Sequence, residues 1–132
     1  MQKIIFLNCK NILDIHNSMI NFYGGASGIR DIKLLESAIS QPRATFAGSF
    51  VHKTIPEMAA AYFFHIIKNH AFIDGNKRTG LTSTNSFLIA NGYEFKLSAT
   101  KLYQLAIDVA CSKTSKPELI KIFNKSILHL RK

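Results

Sequence analysis

The chain has 132 residues, 47% of them hydrophobic, with ten Phe and no Trp, which suits one domain with a filled interior and excludes a disordered chain. Its formal charge of +9 points to an acidic partner (nucleotide, nucleic acid or acidic protein), although the basic residues are scattered, so a solvated surface accounts for most of it. The apolar run Met58–Phe64 is too short to span a membrane and the N-terminal run too short for a secretory signal, while Cys9 and Cys111 lack metal spacing; the expectation is a soluble cytoplasmic protein with reduced thiols and no membrane partner.

Ile12, Ile15, Met19, Ile20 and Phe22 recur at helical spacing, predicting a first helix over 9–22 that Gly24 and Gly25 end. Asp31 caps a second helix through Leu34, Leu35, Ala38 and Ile39, stopped by Pro42. Residues 43–53 break the helical rhythm. Thr45, Phe46, Phe50 and Val51 around Gly48 read as a short hairpin. Thr54-Ile-Pro-Glu57 is a capping box with proline in the first turn, and the helix it opens is apolar nearly all round to about Asn69, so it is expected at the centre of the core. A further helix is predicted over 76–90, closed by Asn91 and Gly92, and another from Ser98 through Leu102, Leu105, Ala106 and Val109. Ser115-Lys-Pro-Glu118 is a second capping box, opening a last helix with Leu119, Ile120, Phe123, Ile127 and Leu130 on its apolar face. The predicted fold class is all-α, about six helices in a single domain over 1–132 with one β-hairpin.

The chemistry concentrates between His70 and Gly80, where one helix ends and the next begins. His70 is the candidate general base or acid, or else a helix C-terminal histidine favoured by the dipole. Phe72 reads as a core anchor. Asp74 either holds Mg2+ through oxygen or forms an Asx turn into Gly75, whose freedom allows positive φ or close approach to a ligand. If Asn76 caps the next helix, Lys77 and Arg78 fall in its first turn, where the macrodipole is positive and each cation costs a few tenths of a kcal/mol, up to roughly 1. A bound anion relieves that cost, so Gly75, Asn76, Lys77 and Arg78 read as a phosphate cradle, with Arg78 bidentate and Lys77 a point charge. The P-loop, the kinase loops and the zinc-protease helix are all missing; His65 and His70 are wrongly spaced for zinc, leaving His65 a core or surface histidine.

His70-Ala-Phe72-Ile-Asp74-Gly75-Asn76-Lys77-Arg78 resembles the signature of the Fic/Doc family, His-x-Phe-x-(Asp/Glu)-Gly-Asn-x-Arg. Tyr23-Gly-Gly-Ala-Ser-Gly28-Ile-Arg-Asp31, the Leu34–Ala38 helix and Phe87–Tyr93 also look like Doc-type (death-on-curing) proteins, so the resemblance covers most of residues 12–95. Typical Fic adenylyltransferases have glycine where Lys77 stands and a second arginine where Leu81 stands; both departures are shared with Doc toxins.

The resemblance implies ATP bound in the reversed sense, with Lys77 filling the space that seats the α- and β-phosphates in a Fic enzyme. The γ-phosphate would then pass to a threonine of translation elongation factor Tu, arresting translation. His70 would be the base for the target hydroxyl, Asp74 would hold Mg2+, and Asn76, Lys77 and Arg78 would hold phosphates. The hairpin, with Thr45, Phe46, Gly48 and Phe50, looks like the family's flap, which aligns the target segment by β-augmentation. The nearest match to the family's self-inhibitory motif, Thr114-Ser-Lys-Pro-Glu118-Leu119, lacks the final residue and reads as a helix cap, so a separate and acidic antitoxin is the expected restraint. An AMP transferase and a non-catalytic anion- or nucleotide-binding module are the competing expectations. A nucleic-acid partner rests on charge alone and is not expected.

Overall fold

In the computed structural model, which describes residues 3–130, the most apolar stretch of the sequence becomes the central helix, α3 (Ile55–Asn69). Proline in its first turn and Thr54 accepting the Glu57 N–H fix its start, while Glu57 reaches past Thr54 to the Lys53 N–H (3.0 Å). It buries Met58 through Phe63 together with Ile66 and Ile67, and α2 (Ile32–Ser40), α4 (Asn76–Ala90), α5 (Ala99–Ala110) and α6 (Lys116–Ser126) pack against it. The first helix, α1 (Cys9–Tyr23), packs on α4 instead. Six helices therefore stand as expected, with Asp31 capping α2, Ser98 capping α5 and a complete Ser115–Glu118 box on α6. Pro42 lies in a 3-10 turn directly after α2. No helix among the described residues is long and apolar enough to cross a membrane.

Close helix contact sets the site on a rigid base. Gly80 of α4 faces Ile67 of α3 so tightly that a Cβ there would lie 2.7 Å from Ile67 Cγ1. The rest of the buried face of α4 is small and polar (Thr79, Ser83, Thr84) until Phe87 and Leu88. At the far end of the core the buried Tyr62 hydroxyl accepts from Leu7 N (2.9 Å), and burial pushes its pKa up to about 12.

Two small sheets complete the fold. β1 (Thr45–Phe46) and β2 (Ser49–Phe50) form the expected hairpin, turning through Ala47 and Gly48, both at positive φ. The second sheet corrects the sequence reading: α6 stops at Ser126, and Ile127–His129 is a strand, β4, antiparallel to β3 (Tyr93–Phe95). The Gly92 turn leaves β3 with an open edge, and pairing there satisfies the backbone on both strands, with Lys96 N donating to Ser126 O and Leu130 N to Gly92 O. Ile127 thus buries through a strand register instead of the predicted helix face.

Half of the eight acidic residues are spent on backbone. Asp31, Glu57, Asp74 and Glu118 all accept main-chain N–H groups, and among the described residues only Asp14 forms an ion pair, with exposed Lys10 at 2.9 Å.

Candidate active site

The motif occupies the turn from α3 into α4, and its backbone is held before any side chain reaches solvent. His70 ends α3 in the left-handed conformation (φ 51°, ψ 49°), a position usually given to glycine or asparagine. Arg30 closes the helix end, its Nε donating to His70 O (2.8 Å) and Nη2 to Asn69 O (3.2 Å), a cation where the dipole is negative. The His70 side chain is exposed. Next, Gly28–Arg30 runs antiparallel to Ala71–Ile73: Arg30 N donates to Ala71 O (2.7 Å) and Ile73 N to Gly28 O (3.1 Å).

Asn76 does not cap α4. Its amide is buried and bound to Phe72 twice, Oδ1 accepting from Phe72 N and Nδ2 donating to Phe72 O, both at 3.0 Å. Gly75, at φ 80°, precedes the helix and offers no side-chain oxygen, so the first turn of α4 has no side-chain cap. The physical reason is competition. An asparagine that closes the loop onto the fully buried Phe72 cannot also serve the helix start, and it has one amide hydrogen left for any phosphate.

Asp74 is tied at both oxygens, Oδ1 accepting from Gly75 N (3.0 Å) and Oδ2 from Ala26 N (3.2 Å). Gly25 is required beneath it, since a Cβ there would sit 2.6 Å from Asp74 Oδ2. A residue that the motif did not reveal supports this arrangement: His16, almost wholly buried, donates Nε2–H to Asp74 O (2.8 Å) while lying flat on the Phe72 ring. Its spacing of four from Ile12 places it on the buried face of α1, which is the signal in the sequence that could have found it.

Lys77 and Arg78, in the uncapped first turn, have no hydrogen-bond or ion-pair partner among the described residues. They open onto a pocket of about 190 Å3 lined by Asp74, Gly75, Asn76, Lys77, Arg78 and, among others, Tyr103 of α5. His70 does not line this pocket. The guanidinium of Arg78 lies over two tyrosine rings, 3.7 Å from the centre of Tyr23 and 4.6 Å from that of Tyr103. Such a site can hold an anion by charge, helix N–H groups and a planar fork. No cluster of three or more His, Cys, Asp or Glu side chains occurs among the described residues, so any metal here would be held by one carboxylate together with a ligand's own oxygens.

The structure does not bring the hairpin to this pocket. Thr45, Phe46, Gly48 and Phe50 lie before the N-terminus of α3, and fifteen helical residues at 1.5 Å each put about 22 Å between that end and His70. Phe50 packs with its ring tilted against Phe6, which stacks on Phe87 near the C-terminal end of α4, the end remote from Lys77. The backbone segment that lies beside the motif is Gly28–Arg30. His65, on α3, is also unconnected to the pocket: Lys116 Nζ approaches its Nε2 at 2.9 Å, and burial, then Lys116, then His52 push its pKa down to about 4. The Thr114–Glu118 stretch is engaged as the α6 cap, with Glu118 held below the usual carboxylate range by the backbone N–H and hydroxyl of Ser115.

The sequence profile described as the Fic/DOC family matches residues 6–88, from the segment before α1 to the end of α4. The chain is 38% identical over 72 residues to the protein named Toxin Doc of Mycolicibacterium smegmatis (strain ATCC 700084 / mc(2)155), a match covering 54% of this chain and 55% of that protein. It is 29% identical over 106 residues to the protein named Protein kinase doc of Escherichia phage P1, covering 80% of this chain and 82% of that one. It therefore spans about half the length of the first relative and four fifths of the second.

Proposed function

This chain belongs to the Fic/Doc family, and from that premise we propose that it is the toxin of a toxin–antitoxin pair, a protein kinase that moves the γ-phosphate of ATP onto a threonine of elongation factor Tu. The observation that carries the reading is the unpartnered Lys77 and Arg78 at an uncapped helix start, opening on a pocket beside Asp74. Phosphoryl transfer asks the protein mainly for positioning and charge neutralisation, and this turn supplies both. The lysine at 77 favours γ-phosphoryl over AMP transfer, and of the two relatives one is named a toxin and the other a protein kinase.

Each residue then has one task. The α4 N–H groups, Lys77 and Arg78 bind and orient the phosphates. Asp74 is suited to Mg2+, which takes one or two carboxylates and phosphate oxygens, because each of its oxygens accepts only one N–H and keeps a free lone pair. Mg2+, when bound, neutralises phosphate charge. His70, exposed on the loop, takes the proton from the target hydroxyl. The backbone edge beside it is Gly28–Arg30, so the docking expected of the hairpin falls to that segment. With Glu118 engaged in the α6 cap, restraint comes from a separate acidic antitoxin.

The test is to incubate the protein with Mg2+, elongation factor Tu and ATP labelled at either the α or the γ position. Transfer of γ-label supports the kinase. Transfer of α-label alone establishes an AMP transferase instead. Growth arrest that survives His70→Ala, with no label transferred from either ATP, leaves a non-catalytic binding module.

A further inference from the structure

Arg78 is the one pocket cation whose direction is fixed by its neighbours. Its guanidinium lies over two aromatic rings, Tyr23 at 3.7 Å from the last turn of α1 and Tyr103 at 4.6 Å from α5. A guanidinium that rests on aromatic rings forms its hydrogen bonds in its plane, through donors at its edge. Those donors have no protein acceptor among the described residues, and Arg78 lines the pocket beside Asp74 and Lys77. Lys77 differs in kind, a flexible point charge with no such support.

We propose that Tyr23 and Tyr103 are positioning residues that form a clamp, holding Arg78 as a ready-made fork for a polyphosphate. The clamp also sets which residues can replace Arg78. A lysine would keep the charge and lose the flat face, so Arg78→Lys belongs with the damaging substitutions. Because α1, α4 and α5 each contribute one layer, the fork is built only in the folded domain. The proposal deepens the kinase reading and rests on it for the ligand's identity; a polyphosphate bound in the same place by any other chemistry would be held the same way.

The experiment uses inorganic tripolyphosphate as the probe, with affinity measured by calorimetry on the whole chain and unfolding followed in parallel. Tyr103→Leu is expected to weaken binding about five- to tenfold, as is Tyr23→Leu, which sits at an exposed helix end and keeps the test valid if the first variant folds poorly. Tyr103→Phe, which keeps the ring, should stay within about twofold of the unsubstituted protein. In an Arg78→Ala background Tyr103→Leu should cost nothing further, since its effect passes through the arginine. An undiminished affinity in both leucine variants, an equal loss in the Arg78→Ala background, or no binding of tripolyphosphate by the unsubstituted protein would each overturn the clamp. Binding that follows the expected pattern without any transfer of γ-label from ATP would leave the clamp standing and remove the kinase.

Discussion

The imidazole of His16 lies on the ring of Phe72, with centroids 3.8 Å apart and planes 7° from parallel. One histidine from α1 thereby holds the motif loop at its buried anchor and, through Nε2–H to Asp74 O, at its exposed carboxylate residue. His16→Ala removes a stack and a hydrogen bond and leaves a cavity, and should cost about 2–4 kcal/mol. His16→Phe keeps the stack and loses only the donor, at about 1 kcal/mol. Urea midpoints measure both. Equal losses in the two variants would mean the Phe72 stack contributes nothing separable.

Lys77 lies in the first turn of α4, a turn that carries no acidic residue of its own. Lys77→Ala should therefore raise thermal stability of the ligand-free protein by a few tenths of a kcal/mol, about the cost of one cation at a helix start. The same change should abolish γ-phosphoryl transfer. A variant that lost stability as well as activity would show that the lysine serves the fold.

Ser83 is fully buried on the α3-facing side of α4, and its Oγ has no hydrogen-bond partner. Ser83→Ala relieves that desolvation and improves helix propensity, so a gain of about 1 kcal/mol is expected in chemical denaturation. A loss of that size would reveal an acceptor or water serving the hydroxyl.

His65 carries the expected pH dependence. Its pKa is pushed down to about 4 in the folded protein, first by burial, then by Lys116 and His52, against about 6.5 when unfolded. Between these values the unfolded chain binds a proton that the folded one refuses. Stability from this group is thus complete above about pH 6.5 and is lost as pH falls towards 4. His65→Gln, which still offers Lys116 an oxygen, should flatten the fall in melting temperature between about pH 7 and 4.5, by the equivalent of about 1–2 kcal/mol after allowance for solvent screening. Parallel curves for the two proteins would reject the assignment.

What the sequence disclosed followed how local each signal was. The capping serine and glutamate of α6, Asp31 before α2 and the apolar run of α3 are local, and the structure repeats them. The fate of Ile127 was hidden because its spacing from Phe123 suits a helix equally well. Only β3, more than thirty residues earlier in the chain, offers the edge that makes it a strand. The sequence leaves open whether Asn76 caps α4, for a related reason. An asparagine before a helix normally caps it, and the competing partner, the Phe72 backbone, is visible only once the loop has folded. The hairpin itself was legible from Gly48 and its flanking residues, but its distance from His70 depends on the direction of α3. His16, Arg30 and Tyr103 approach the motif from three other elements, which no local pattern records.

With four acidic residues tied to main-chain N–H groups and one exposed ion pair among the described residues, the positive charge of this protein is left largely uncancelled within the molecule. Its surface behaves as a spring compressed by its own repulsion, and dissolved salt relaxes it. At about 0.15 M ionic strength fields fade over roughly 8 Å, so melting temperature should climb as salt is added from low concentration, the reverse of a fold held by surface ion pairs. The same salt should slow capture by an acidic antitoxin while leaving its dissociation nearly unchanged, a difference that stopped-flow mixing at two ionic strengths would resolve.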